Sequence, residues 1–116
     1  MRYMTLYKPG TENDMPTEKE MAAVGQLIEE MAKAGTLILT DGLQPSSKGK
    51  RVRFSGEKRI VIDGPFSETK ELIAGFWLWQ VRSMEEAVEW LKRCPNPHEG
   101  ETDVEIRQVF EMEDFR

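Results

Sequence analysis

A chain of 116 residues is long enough for one domain with a two-layer core. Its net charge of −5, from 16 Lys and Arg against 21 Asp and Glu, argues against a sequence-independent nucleic-acid binder, which needs surplus cations to release phosphate counterions. No apolar run approaches the roughly 20 residues that span a bilayer, and Met1, Arg2, Tyr3 and Met4 enter a strand pattern in place of a leader, so the expectation is a single cytoplasmic domain over residues 1–116 with no membrane contact.

Residues 1–7 carry Met4 and Leu6 on one side and Tyr3, Thr5 and Tyr7 on the other, which predicts a strand inside a sheet. Thr17 and Glu20 have capping-box spacing, and Met21, Val24, Leu27, Ile28 and Met31 recur at helical intervals before Gly35, a left-handed stop. Leu37, Ile38 and Leu39 form a short apolar strand running into the turn Thr40, Asp41, Gly42, which presents the Asp41 carboxylate at the strand end. After a flexible approach over residues 44–50, the alternation in Arg51, Val52, Arg53, Phe54 and the return over 58–62 predict a hairpin with its basic residues on one face. Arg51, Arg53, Lys58 and Arg59, with Lys48 and Lys50, form the local basic cluster. It suits a phosphate or an acidic partner, but charge that guards an edge strand explains it without a ligand and is the favoured reading.

Asp63, Gly64 and Pro65 force the chain to turn, with Gly64 expected at positive φ, and the loop through Glu71 is longer than a hairpin connection requires. Residues 72–81 then read as a long strand with no polar face until Gln80: Ala74, Phe76 and Leu78 point one way, Gly75, Trp77, Trp79 and Val81 the other. Two helices cover one face of such a sheet. Trp77 and Trp79 are expected on the other, where two exposed indoles call for a homodimer through the open sheet face. Ser83 and Glu86 form a second capping box ahead of Ala87, Val88, Leu91 and Cys94, with Pro95 as the stop, and Val104, Ile106 and Phe110 alternate with charge in a last strand. The order is that of an α+β, ferredoxin-like β-α-β-β-α-β fold with a hairpin insert, an antiparallel sheet and two helices on one face.

The chemistry-bearing residues are few. Cys94 is the one cysteine and reads as a small buried hydrophobe; His98 is the one histidine and reads as a solvated loop residue. No His/Cys spacing builds a tetrahedral metal set, and no glycine-rich phosphate loop, nucleophile elbow or dinucleotide fingerprint occurs, so neither a metal nor a cofactor is expected.

The run DGPFSETKE followed by LIAGFWLWQV, then Ser83 to Ala87 and Trp90 through Pro95, with Gly42, Leu43, Gln44 and Pro45 upstream, resembles the DGPF group of YCII-related proteins. That resemblance implies a dimeric α/β barrel of bacterial type, often in the genomic company of extracytoplasmic-function sigma factors, with no settled activity. Some YCII-like relatives are associated with a His and Asp pair. This chain has no histidine in its first strand or first helix, so the pair does not carry over. The signature loop does: Asp63, Glu68 and Lys70, joined by Arg53, Asp41 and an aromatic wall from Trp77, are the candidate ligand-binding residues, with catalytic residues unassigned. Two functions stay open. One is a small-molecule enzyme or binder with a cleft at this loop; the other is a non-catalytic accessory or regulatory protein acting through its dimer surface, linked to a sigma factor.

Overall fold

The computed structural model describes residues 1–8, 18–67, 72–95 and 103–116. In chain order these give β1 (Arg2–Tyr7), α1 (Glu18–Lys33), β2 (Leu37–Gly42), β3 (Lys50–Ser55), β4 (Lys58–Asp63), β5 (Gly75–Gln80), α2 (Met84–Lys92) and β6 (Glu105–Gln108), with short 3-10 turns at Ser46–Lys48 and Met112–Phe115. The class is α+β. One antiparallel sheet has the strand order β2-β5-β1-β6, and β3 pairs with β4 in a separate two-stranded sheet. β1 lies in the interior of the main sheet, as its two bulky faces require.

The register assigns every side chain of the main sheet to a face. Tyr3 lies opposite Trp79 and Thr5 opposite Trp77, while Met4 faces Leu78 and Leu6 faces Phe76. Tyr3, Trp77, Trp79 and Val81 share one buried cluster with Leu27 and Met31 of α1 and Ala87 of α2. The two tryptophans therefore sit beneath the helices, not on the open face as expected. The parity along β5 was legible, but assigning a face was not: nothing in an alternating strand says which side the helices take. Bulk decides it, because two indoles offer the helices more apolar surface than Phe76 and Leu78. Met4, Leu6, Phe76 and Leu78 are half-buried on the other face.

Local signals set most boundaries. Gly35 (φ 72°) ends α1 in the left-handed region, and Thr36 N–H returns to the Met31 carbonyl at 2.9 Å. The Thr17 cap lies outside the described residues, and Met21, expected in the core stripe, is exposed. A register shift at Ile38 puts Leu37 beside Trp79 and Leu39 beside Leu78, on opposite faces. β5 spans Gly75–Gln80, shorter than the predicted 72–81, although Ala74 N–H still donates to the Tyr7 carbonyl at 2.6 Å. The Ser83 hydroxyl accepts from Glu86 N–H at 3.1 Å and caps α2 as its spacing predicts. Ile106 lies opposite Thr5 and packs against the core; Phe110 lies beyond β6, exposed, its ring centre 5.0 Å from that of Phe115.

Because the Trp79 side chain is fully buried at the centre of this cluster, Trp79→Ala is expected to cost about 3–5 kcal/mol in urea unfolding. Leu78→Ala, one residue away on the open face, should cost the isolated chain clearly less. Equal losses would mean that the two faces are equally covered.

Candidate functional site

Residues 63–66 of the signature loop close the base of the β3–β4 hairpin. Asp63, the last residue of β4, lies opposite Lys50, the first of β3, and their side chains form an ion pair. Gly64 N–H donates to the Gly49 carbonyl at 3.0 Å, and Phe66 N–H donates to the Ser46 hydroxyl at 3.0 Å. The Arg51 guanidinium stacks 4.0 Å from the centre of the Phe66 ring. These contacts lock the two ends of the hairpin to each other and to the 3-10 turn at Ser46–Lys48, which occupies the stretch expected to be a flexible approach.

Gly64 is required here for space. The positive-φ glycines among the described residues are Gly35 and Gly56, so the left-handed backbone expected at Gly64 is absent. A Cβ on Gly64 would instead stand 1.7 Å from the Ser46 carbonyl oxygen, well inside van der Waals contact. The motif's glycine lets two stretches of backbone touch.

The candidate ligand residues fall on separate surfaces. Arg53 lies on the hairpin opposite Ile60, exposed, on the same face as Arg51 and Lys58; Arg59 is on the reverse face, stacked 4.5 Å from the centre of the Phe54 ring, so the basic residues do not share one face. Asp41 is exposed in β2 opposite Phe76, on the open face of the main sheet, while Trp77 is buried on the helix face. Asp41 and Trp77 are thus on opposite sides of one sheet. Asp63 is at the hairpin base; Glu68, Lys70 and His98 lie outside the described residues. No group of three or more His, Cys, Asp or Glu side chains among the described residues is placed to hold a metal.

A polar cluster under the helices was not anticipated. Trp77 Nε1–H donates to the Tyr7 hydroxyl at 2.6 Å, and the Cys94 thiol packs against the same core and donates to the Trp90 carbonyl at 3.7 Å. Burial pushes the Tyr7 hydroxyl far above the usual phenol range, with Cys94 beside it adding to the shift. Burial likewise raises the Cys94 thiol, against a hydrogen bond from Tyr7 and the charge of Arg93 that pull it down. A thiol held protonated in this way is a poor nucleophile at neutral pH. Strand parity was the available signal, since Tyr7 shares a face with Tyr3 and Thr5, but its pairing with Trp77 needed the register. Thr5 Oγ1 and Trp79 Nε1 are buried on the same face without a hydrogen-bond partner among the described residues.

A family model for the YCII-related domain matches residues 1–113. The chain belongs to the YCII-related family. It is also 31% identical over 98 residues to an uncharacterized protein of Rhizobium meliloti (strain 1021), an alignment covering 84% of this chain and 77% of the relative. In this YCII-related chain the DGPF residues lie at the joint between the hairpin and the rest of the fold. No helix among the described residues is long and apolar enough to cross a membrane.

Three outcomes follow from this geometry. Gly64→Ala should speed hydrogen exchange across β3 and β4 while β1 and β5 keep their protection, because the clash opens the hairpin base and leaves the core in place; unchanged exchange in the hairpin would count against the joint. Tyr7→Phe should cost about 1–3 kcal/mol in urea unfolding by leaving the buried Trp77 N–H unpaired. The raised thiol of Cys94 favours the neutral form in the fold, so its contribution to stability is fully present below the unfolded thiol's pKa of about 8.5 and is lost as pH rises from there through the folded value. Thermal unfolding of Cys94→Ala should accordingly depend less on pH than the wild type on the alkaline side.

Proposed function

We propose that this YCII-related chain is a non-catalytic interaction module that works as a homodimer, with the DGPF loop serving as a structural joint. One observation carries the reading: the polar groups of Asp63, Gly64 and Phe66 are engaged in clasping the hairpin, and the described ionisable candidates Arg53, Asp41 and Asp63 do not converge on a cleft. A catalytic site needs such groups within hydrogen-bond reach of one reacting centre.

The strand order β2-β5-β1-β6, with α1 and α2 packed on the same core cluster, supports a ferredoxin-like plan whose second sheet face is left for another chain. That face carries Met4, Leu6, Phe76 and Leu78, and Leu39 on β2 is about half exposed at 47%. A second copy applied here would build the dimeric α/β barrel that the family resemblance implies. The motive for dimerisation thus passes from the tryptophans to these aliphatic residues and Phe76. An accessory role beside a regulatory partner such as a sigma factor follows from the same resemblance.

A small-molecule site on the open face is the second reading. Asp41 opposite Phe76, with Glu105 beside Leu6 and Arg107 beside Met4, sets charged groups among apolar ones on a face that a partner sheet would enclose.

Light scattering and a thermal-shift screen of a metabolite panel separate the readings. The interaction module is expected to be a dimer at micromolar concentration whose melting temperature no metabolite raises. A compound that stabilises the wild type, with the gain lost in Asp41→Asn, would replace it with the ligand-binding reading, because a ligand of the native state raises stability by mass action.

A further inference from the structure

The hairpin is an arm. Every residue of β3 and all of β4 except Ile62 are exposed, and neither strand packs extensively on the main sheet. Apolar side chains stand outward on both of its faces: Val52, Val61 and Phe54 on one, Ile60 on the other, with Phe54 70% exposed. A lone two-stranded hairpin is marginal in water, and apolar residues on both faces make it more so. The Cα radius of gyration is 16.3 Å, against about 13 Å for a compact globule of this length. Edge protection by lysine and arginine accounts for the arm's charges but not for its outward valines, isoleucine and phenylalanine.

Charge identifies the occupant. Residues 48–63 hold six Lys and Arg against two carboxylates, a balance of +4, so with −5 for the whole chain the remaining 100 residues carry −9. The arm is strongly basic, and the described residues of the body from which it projects are acidic, 13 carboxylates against nine Lys and Arg, with Glu29, Glu85 and Glu113 among the exposed ones. Two arms repel each other, whereas an arm and a body attract. The clasp of Asp63, Gly64 and Phe66 binds the arm at its base and leaves its apolar and basic side chains exposed.

We infer that the β3–β4 arm of one protomer docks on the acidic body of a second copy of this chain through the face that carries Ile60, burying that side chain and setting Arg53 and Lys58, which share its face, against the partner's carboxylates. The inference rests on the dimer reading above and adds a contact that the open sheet face does not itself require.

Mixed dimers provide the test. Chains of two isotopic compositions are unfolded together, refolded, and treated with a carbodiimide that joins lysine to carboxylate; mass spectrometry then distinguishes links within a copy from links between copies. Lys48 and Lys58 are expected to link to body carboxylates of the other copy. In parallel, R53E/K58E should keep the circular dichroism of the wild type, because the arm lies outside the core and neither residue belongs to the clasp, yet weaken dimerisation by about tenfold or more, with added salt weakening the wild type in the same direction. A dimer whose arm lysines link only within their own copy or to the partner's arm, or whose affinity the double reversal leaves unchanged, overturns the arm contact and leaves the sheet-face dimer standing. A monomer overturns both.

Discussion

The cover that α1 and α2 place over Trp77 and Trp79 orders the rest of the molecule. Each indole removes roughly 150–250 Å² from water, which at about 25 cal/mol per Å² is on the order of 4–6 kcal/mol as an upper bound. A domain with a net stability of roughly 5–15 kcal/mol does not leave such groups outside its core. Once the tryptophan face of β5 meets the helices, β1 must turn Tyr3 and Thr5 the same way, and Met4, Leu6, Phe76 and Leu78 are committed to the face that α1 and α2 leave open. The Trp77 N–H, taken out of water by that choice, is satisfied by Tyr7, and the same burial keeps the Tyr7 and Cys94 protons in place.

The DGPF motif has a mechanical explanation in this chain. Asp63 pairs across the first rung of the arm, Gly64 removes the Cβ that would strike the Ser46 carbonyl, and Phe66 is held by a backbone hydrogen bond on one side and a guanidinium on the other. Asp63, Gly64 and Phe66 each serve the contact between the stretches before β3 and after β4. The Gly64–Pro65 peptide bond within it is cis. A loop rich in ionisable groups reads from sequence as a site because sites favour loops, yet a joint needs polar groups and glycine for its own reasons. Residues 13 positions apart, Lys50 and Asp63, were indistinguishable from ligand-binding charges until their register made them cross-strand neighbours.

Periodicity, caps and turns are local properties, and they were legible. The helical stripe through Leu27 and Met31, the Ser83 cap, the left-handed Gly35 and the hairpin over β3 and β4 each depend on residues a few positions apart. The end of β5 was harder. Residues 72–74 are as apolar as a strand, but β2 and β1 extend only far enough to pair with Gly75 and beyond. Among the candidate site residues, the expectation that Asp41 and Trp77 line one cleft failed on a single residue of register. Thr40 lies opposite Trp77 and Asp41 opposite Phe76, and neighbouring positions on a strand point to opposite faces.

The sequence by itself determined the α+β class, the order of the elements, the two apolar faces of β5, the hairpin insert and the sharp separation of charge between a basic stretch and an acidic remainder, because all of these follow from composition and short-range spacing. The tertiary structure decided which face of β5 the helices cover, that Gly64 is needed for a close backbone approach and not for its dihedral, that Tyr7 serves Trp77, and that the hairpin stands away from the core. Those outcomes depend on pairs of residues brought together across 13 to 70 positions of chain, and a one-dimensional pattern does not encode the register at which such distant segments meet.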